Sequence, residues 1–217
     1  MPATPLTAEF FDRPVTEVAV DLLGKILIRR SRLGVTAGRI VETEAYLAQS
    51  DAAAHSAVGI NRKNATMFGD PGHAYVYTIH ARQCFNVVTQ PRSAVLVRAL
   101  EPLQGLDVMA ARRGTQVLRD LCRGPARLAE ALDIGRECDG WTLTSGRRLW
   151  IEEGAPADAP QRECLVSPRI GVTSAHELLL RFHAPDSPFV SGTKTLNTNG
   201  SCAYSQWRQR TKKGDFT

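Results

Sequence analysis

The chain of 217 residues is poor in several things. Aromatic residues make up only 6% of it, so aliphatic side chains must fill the interior. No Cys-x-x-Cys pair occurs, and the five cysteines (Cys84, Cys122, Cys138, Cys164 and Cys202) are odd in number and widely spaced. That pattern argues against a disulfide framework or a zinc site and points to reduced thiols and no metal. No apolar run reaches the roughly 18 residues that a membrane-spanning helix needs. The first five residues carry no basic patch ahead of an apolar stretch, so no secretion signal is expected. These absences predict a protein of the cytoplasm (near the nucleoid, if bacterial) or of the nucleus, not a secreted one. No internal repeat is visible.

What is present bounds the fold. The chain is 43% hydrophobic, enough for one substantial core. It has 27 basic residues against 22 acidic ones, a net charge of +5, which suits a polyanionic partner. Pro14 reads as the first turn of a helix, Val15, Val18, Ala19 and Leu22 recur at helical spacing, and Gly24 closes the element. Residues 26–30 and 35–47 read as strands joined by a tight turn. A polar loop spans 48–72, a length usually reserved for function. Strands follow from His73 and over 94–100. Helical spacing returns at Leu106, Met109 and Ala110, and again after Pro125 with Leu128, Ala131 and Leu132. Short late strands are predicted at 150–151, 170–172 and 178–182. Without regular βαβ alternation, this is a single mixed α+β domain over about 5–191. From 192 the chain is polar, and Arg208, Arg210, Lys212 and Lys213 stand against Asp215 alone, which reads as a mobile basic tail.

Two segments concentrate the chemistry. In Gly38–Leu47 (GRIVETEAYL), strand alternation puts Ile40, Glu42, Glu44 and Tyr46 on one face. In Gly72–Ile79 (GHAYVYTI), it aligns His73, Tyr75, Tyr77 and Ile79. Three of the four tyrosines therefore lie on two strand faces. A strand glutamate such as Glu44, partly buried, suits a general base. Glu42 on the same face would stand roughly 6–7 Å away, given a rise of about 3.3 Å per residue, near the spacing of a glycosidase carboxylate pair; its plainer reading is a salt-bridge partner. Arg98 lies inside an apolar strand, where a guanidinium needs an acid, and Glu44 is a candidate across the sheet. Tyr46, His55 and Tyr77 could wall a flat pocket for a stacked base. Arg112, Arg113, Arg119, Arg123 and Arg127 could neutralise phosphates or form a solvated face.

These segments together resemble the alkyladenine (3-methyladenine) DNA glycosylase family, the purine glycosylases of the human type. The stretches are Gly38–Leu47, Asp51–Ser56, Met67–Phe68, Pro71–Tyr77, Asn86–Val88, Val95–Pro102, Leu121–Pro125, Arg169–Val172 and Ser187–Ser191, in the family's order. The resemblance implies a compact fold with a curved antiparallel sheet. It implies a monomeric enzyme, without metal or cofactor, that flips a damaged purine from duplex DNA and hydrolyses its N-glycosidic bond. Glu44 matches the base that activates water, Arg98 the arginine that helps hold it, and Ile170 the position whose carbonyl contacts it. Tyr46, His55 and Tyr77 match the base sandwich, and Asn86 the pocket floor. One departure is evident: after Tyr77 the chain is one residue short, and the family's wedge tyrosine is replaced by His80 or, in a shifted register, Arg82. Arg62 and Arg123 are the further expected DNA contacts. Two rivals remain at this point, a carbohydrate hydrolase using Glu42 and Glu44 and a non-catalytic nucleic-acid-binding module.

Overall fold

The computed structural model describes residues 4–48, 51–154, 164–198 and 200–212. Two short helices open it, α1 (Ala8–Phe11) and α2 (Val15–Asp21), the second entered through Pro14 at φ −48°. Val18, Ala19 and Leu22 are wholly buried, each large aliphatic contributing roughly 1.5–3 kcal/mol by leaving water. The strands are β1 (Ile26–Ser31), β2 (Gly34–Tyr46), β3 (Ala74–Ile79), β4 (Arg82–Val88), β5 (Ala94–Gln104), β6 (Leu149–Glu152), β7 (Leu165–Ser167), β8 (Arg181–His183) and β9 (Cys202–Ala203). Between β5 and β6 lie α3 (Leu106–Arg113) and α4 (Pro125–Ala131), as the helical spacing predicts. The late part of the chain adds α5 (Lys194–Thr198) and α6 (Tyr204–Lys212).

All pairings are antiparallel, in the order β3-β4-β5-β2-β8-β7-β9, with β1 on β2 and β6 on β1. The mixed α+β class holds. Strand β2 is the spine. Along one edge it pairs with β5; along the other it pairs with β1 as far as Arg39, then with β8 from Glu42 to Glu44. Its register slips against β5 at Ile40/Glu42 and Glu42/Thr43, where the partner changes. Such bulges bend a strand and re-aim its side chains. Both glutamates emerge from this bend.

The structure departs from the sequence expectations in four places. Strand β4 is added, an apolar run that pairs β3 to β5. Residues 170–172 are a loop, because the Ile170 N–H bonds a side chain and Gly171 turns the chain at φ +81°; of 178–182, only the last two residues lie in β8. The expected mobile tail does not hold over the described residues. Strand β9 pairs with β7, and Trp207, only 6% exposed, meets the Phe182 ring edge-on at 5.4 Å and stacks on Tyr204 at 5.6 Å. Aromatic pairs of this kind add about 0.5–1.5 kcal/mol beyond their burial, which anchors a polar segment. Lys213 and Asp215 lie outside the described residues.

Candidate active site

Both glutamates of the β2 bend are fully buried. The Glu44 carboxylate accepts the Ile170 N–H on Oε1 at 2.8 Å and the Tyr46 hydroxyl on Oε2 at 2.9 Å. Arg98 Nη1 stands 3.1 Å from the same Oε1 and also donates to the Ile170 carbonyl at 3.2 Å. Glu44, Arg98 and Ile170, drawn from β2, β5 and the loop after β7, therefore meet at one point. A carboxylate offers about four acceptor sites. Three close donors leave one, on Oε2, the oxygen beside Tyr46.

Glu42 is held more heavily. Its Oε1 accepts from Arg98 Nε (3.1 Å), Arg181 Nε (2.6 Å) and the Ser191 hydroxyl (2.9 Å), and its Oε2 from the Ser191 N–H (2.7 Å). Burial raises its pKa, but Arg98 and Arg181 outweigh that and leave the carboxyl below the usual range. The same chain of charges keeps Arg98 protonated: burial opposes it, yet Glu44 and Glu42 raise its pKa. The carbohydrate-hydrolase reading fails here, because Glu42 is a salt-bridge partner clamped between two guanidinia.

A cavity of about 270 Å³ opens beside Tyr46 and is lined by His55, Tyr75, Tyr77, Asn86 and the loop 171–174. Strand β3 delivers Tyr75 and Tyr77 to it, as the alternation predicts. The His55 ring meets Tyr77 edge-on at 4.4 Å, and its Nδ1 lies 2.8 Å from the Tyr75 hydroxyl. His55 as a residue is exposed at the mouth, but its ring is held partly out of water, which lowers its pKa and keeps it neutral at pH 7. Burial likewise raises the phenols of Tyr46, Tyr75 and Tyr77, so all three stay protonated. The Asn86 amide nitrogen donates to the Tyr75 and Cys84 carbonyls at 3.0 and 3.4 Å, which leaves Oδ1 to accept from a ligand.

Three groups carry roles that the sequence did not assign to them. Tyr75 holds His55. Arg169 makes a buried fork to Asp51, both contacts 2.7 Å, and lies 4.6 Å over the Tyr46 ring. Asp51 in turn accepts the Leu47 and Ala53 N–H groups, which fixes the loop that carries His55. Asp51 and Arg169, 118 residues apart, each open a stretch that carries the family resemblance, but nothing local pairs them.

The expected DNA contacts divide. His80 forms the β3–β4 turn with Ala81, at φ +47° and +60°, and both are exposed together with Arg82 and Arg62. Arg123 is different: its Nε and Nη2 donate to the Val190 and Gly192 carbonyls at 2.8 and 2.6 Å, so its guanidinium ties two segments together and is not free for a phosphate. The rest of the cluster is engaged to differing degrees, and Arg119 and Arg127 are exposed. Arg112 bonds the Ala131 carbonyl, Arg113 pairs with Glu130, Arg119 bonds the Pro188 carbonyl, and Arg127 pairs with Asp120. Among the described residues no helix is long and apolar enough to cross a membrane.

Residues 9–188 match the methylpurine-DNA glycosylase family. The chain belongs to that family. It is 46% identical to a protein of Chlorobaculum parvum over 87% of this chain and 91% of that one. It is 47% identical to one of Methanoculleus marisnigri over 86% and 98%. A protein of Koribacter versatilis is 45% identical over 88% and 95%. All three carry the provisional name 3-methyladenine DNA glycosylase. As a methylpurine-DNA glycosylase the chain is a DNA repair enzyme that hydrolyses N-glycosyl bonds, which sets aside the reading as a non-catalytic binding module.

Proposed function

We propose that this enzyme removes alkylated purines of the 3-methyladenine class, and deaminated or etheno-bridged purines such as hypoxanthine and ethenoadenine, from duplex DNA, leaving an abasic site. One observation carries this reading: a buried carboxylate with one acceptor site left lies directly behind the hydroxyl of a tyrosine that walls an aromatic cavity.

A base inside the stack hides its sugar carbon, so the nucleotide is first extruded, at a cost of a few kcal/mol. The extruded base enters between Tyr46, Tyr77 and His55, where stacking returns roughly 1–3 kcal/mol. A cationic 3-alkyl purine gains a further cation–π attraction and leaves without added protonation. His80 or Arg82, at the exposed hairpin tip, fills the gap in the duplex, and Arg62 meets the backbone. Water then sits against Oε2 of Glu44, which takes its proton as the oxygen attacks C1′ of the deoxyribose and the C1′–N bond breaks, its electron pair leaving with the purine; a cationic purine leaves neutral, and a neutral one takes up a proton as it leaves. Arg98 and the Ile170 main chain hold that carboxylate and the water in place.

The test is excision from duplexes carrying hypoxanthine, ethenoadenine or 3-methyladenine, read as alkali-labile sites. Glu44→Gln keeps the shape and loses the base. Its rate is expected to fall by at least about a thousandfold, within the range of general-base catalysis, with DNA affinity retained. Cleavage at the unaltered rate would remove Glu44 from this role.

A further inference from the structure

The family match ends at residue 188, yet the chain just beyond it is wired into the polar core. Ser191 is buried, and it gives Glu42 both of its donors, N–H at 2.7 Å and hydroxyl at 2.9 Å. Its Oγ also stands 3.5 Å from Arg98 Nη2 as acceptor. The Arg98 guanidinium is thus held on three sides, by Glu42, by Ser191, and by Glu44 with the Ile170 carbonyl. A planar fork gripped in this way has one orientation.

The second support of Glu44 leads to the same place. Gly192, at φ +80°, lies against Ile170, where an added Cβ would come within 3.1 Å of the Ile170 Cδ1. The stretch itself is pinned from behind. Arg123 bonds the Val190 and Gly192 carbonyls, and Arg181 bonds the Ser191 carbonyl at 3.3 Å and Asn197 Oδ1 at 2.7 Å. Charges therefore alternate along one buried row, Glu44, Arg98, Glu42 and Arg181, with Ser191 fastening its middle.

We propose that Ser191 is a positioning residue for base excision: through Glu42 it fixes the tilt of Arg98, and through Arg98 the carboxylate of Glu44. This rests on the reading of Glu44 as the base. Ser191 is buried and does not line the cavity; the hydroxyl sets where the guanidinium stops. Its removal frees Arg98 Nη2 and takes one donor from Glu42, and the guanidinium rocks. Misplacement of a catalytic group by about 1 Å costs up to about a hundredfold in rate.

The experiment compares Ser191→Ala, Ser191→Thr, Glu44→Gln and the exposed control Lys194→Ala in the full chain. Two quantities are read: the single-turnover rate on a hypoxanthine duplex, and the affinity for a duplex carrying an uncleavable abasic analogue. For Ser191→Ala the rate is expected to fall about 10- to 100-fold, with affinity within about threefold of the parent. Ser191→Thr, which restores the hydroxyl, should recover most of that rate, and Lys194→Ala should match the parent. A Ser191→Ala rate within about twofold of the parent, beside a dead Glu44→Gln, overturns the proposal alone; so does a rate that falls only in step with affinity. An active Glu44→Gln overturns the base reading itself. Should Ser191→Ala fail to fold, Asn197→Ala loosens Arg181 from outside the carboxylates. A slower rate at full affinity supports the proposal, and an unchanged rate overturns it.

Discussion

Glu42 and Glu44 stand two residues apart on one strand, both are fully buried, and they share Arg98, yet they are built for opposite ends. Glu42 lies between two guanidinia and takes four hydrogen bonds. Glu44 has one guanidinium, one main-chain N–H and one phenol, and keeps an acceptor site beside the cavity. A carboxylate clamped between two guanidinia is fixed and stays ionised; one with a single guanidinium, beside a cavity, is better placed to take a proton. The strand bend creates this difference, because it turns one residue toward β8 and Ser191 and leaves the other toward Tyr46.

The comparison breaks most sharply if the two residues are exchanged in role. The largest expected effect is the loss of excision in Glu44→Gln with the fold intact. Glu42→Gln should do the reverse and act on stability first. Neutralising it leaves Arg98 and Arg181 buried without their shared acid, and breaking such a pair costs about 3–5 kcal/mol. For a chain of this size that lowers the melting temperature by roughly 10 °C. Equal melting temperatures for Glu42→Gln and the parent in a thermal melt would mean that Glu42 is not the structural member of the pair.

Much of this contrast was legible in the sequence, and the limits have a physical cause. Strand alternation put Glu44, Tyr46 and Tyr77 on usable faces, and an arginine within Val95–Leu100 called for an acid. What alternation cannot tell is which distant segment meets a face. Arg181 and Ser191 reach Glu42 from 139 and 149 residues away, and nothing local to them marks the contact. The arginines of 112–127 show the same limit, since a guanidinium bonded to a carbonyl and one free for a phosphate look alike in a sequence. The last segment carried a signal that was passed over: Tyr204 and Trp207, three apart, form the apolar side of α6 against Phe182.

Acid should sharpen the contrast, because Glu42 and His183 face each other across β2 and β8, with Arg181 alongside. The Glu42 carboxyl has a lowered pKa in the folded chain. Its contribution is present above the unfolded value of about 4.3 and is lost as pH falls through the folded one. His183 is pushed down to about 4, by burial first and then by Arg181. Between about 6.5 and that value the unfolded chain takes a proton that the folded chain refuses, so stability falls as pH falls. At about 1.4 kcal/mol per pKa unit, the window is worth on the order of 3 kcal/mol. Urea midpoints measured from pH 7 to 4 should therefore decline early, and His183→Gln should flatten the part above pH 5. A parent protein with no decline until pH 4 would show that His183 is not held neutral.

The smallest expected effect separates the two functions of Tyr46. Its ring walls the cavity, and its hydroxyl caps Oε2 of Glu44 at 2.9 Å. Burial, with Glu44 beside it, raises the phenol pKa, so the hydroxyl remains a donor across the working range and fixes which lone pair is left for water. Tyr46→Phe keeps the stacking face and deletes the donor. A hydrogen bond to a charged group is worth about 1.5–3 kcal/mol, and only the part that orients the carboxylate acts on the rate, so a loss of about tenfold is expected. Affinity for an abasic-analogue duplex should hardly change, since no ring is lost. If affinity falls as far as the rate, the hydroxyl serves the pocket and not the base, and Glu44 loses the feature that sets its surroundings apart from those of Glu42.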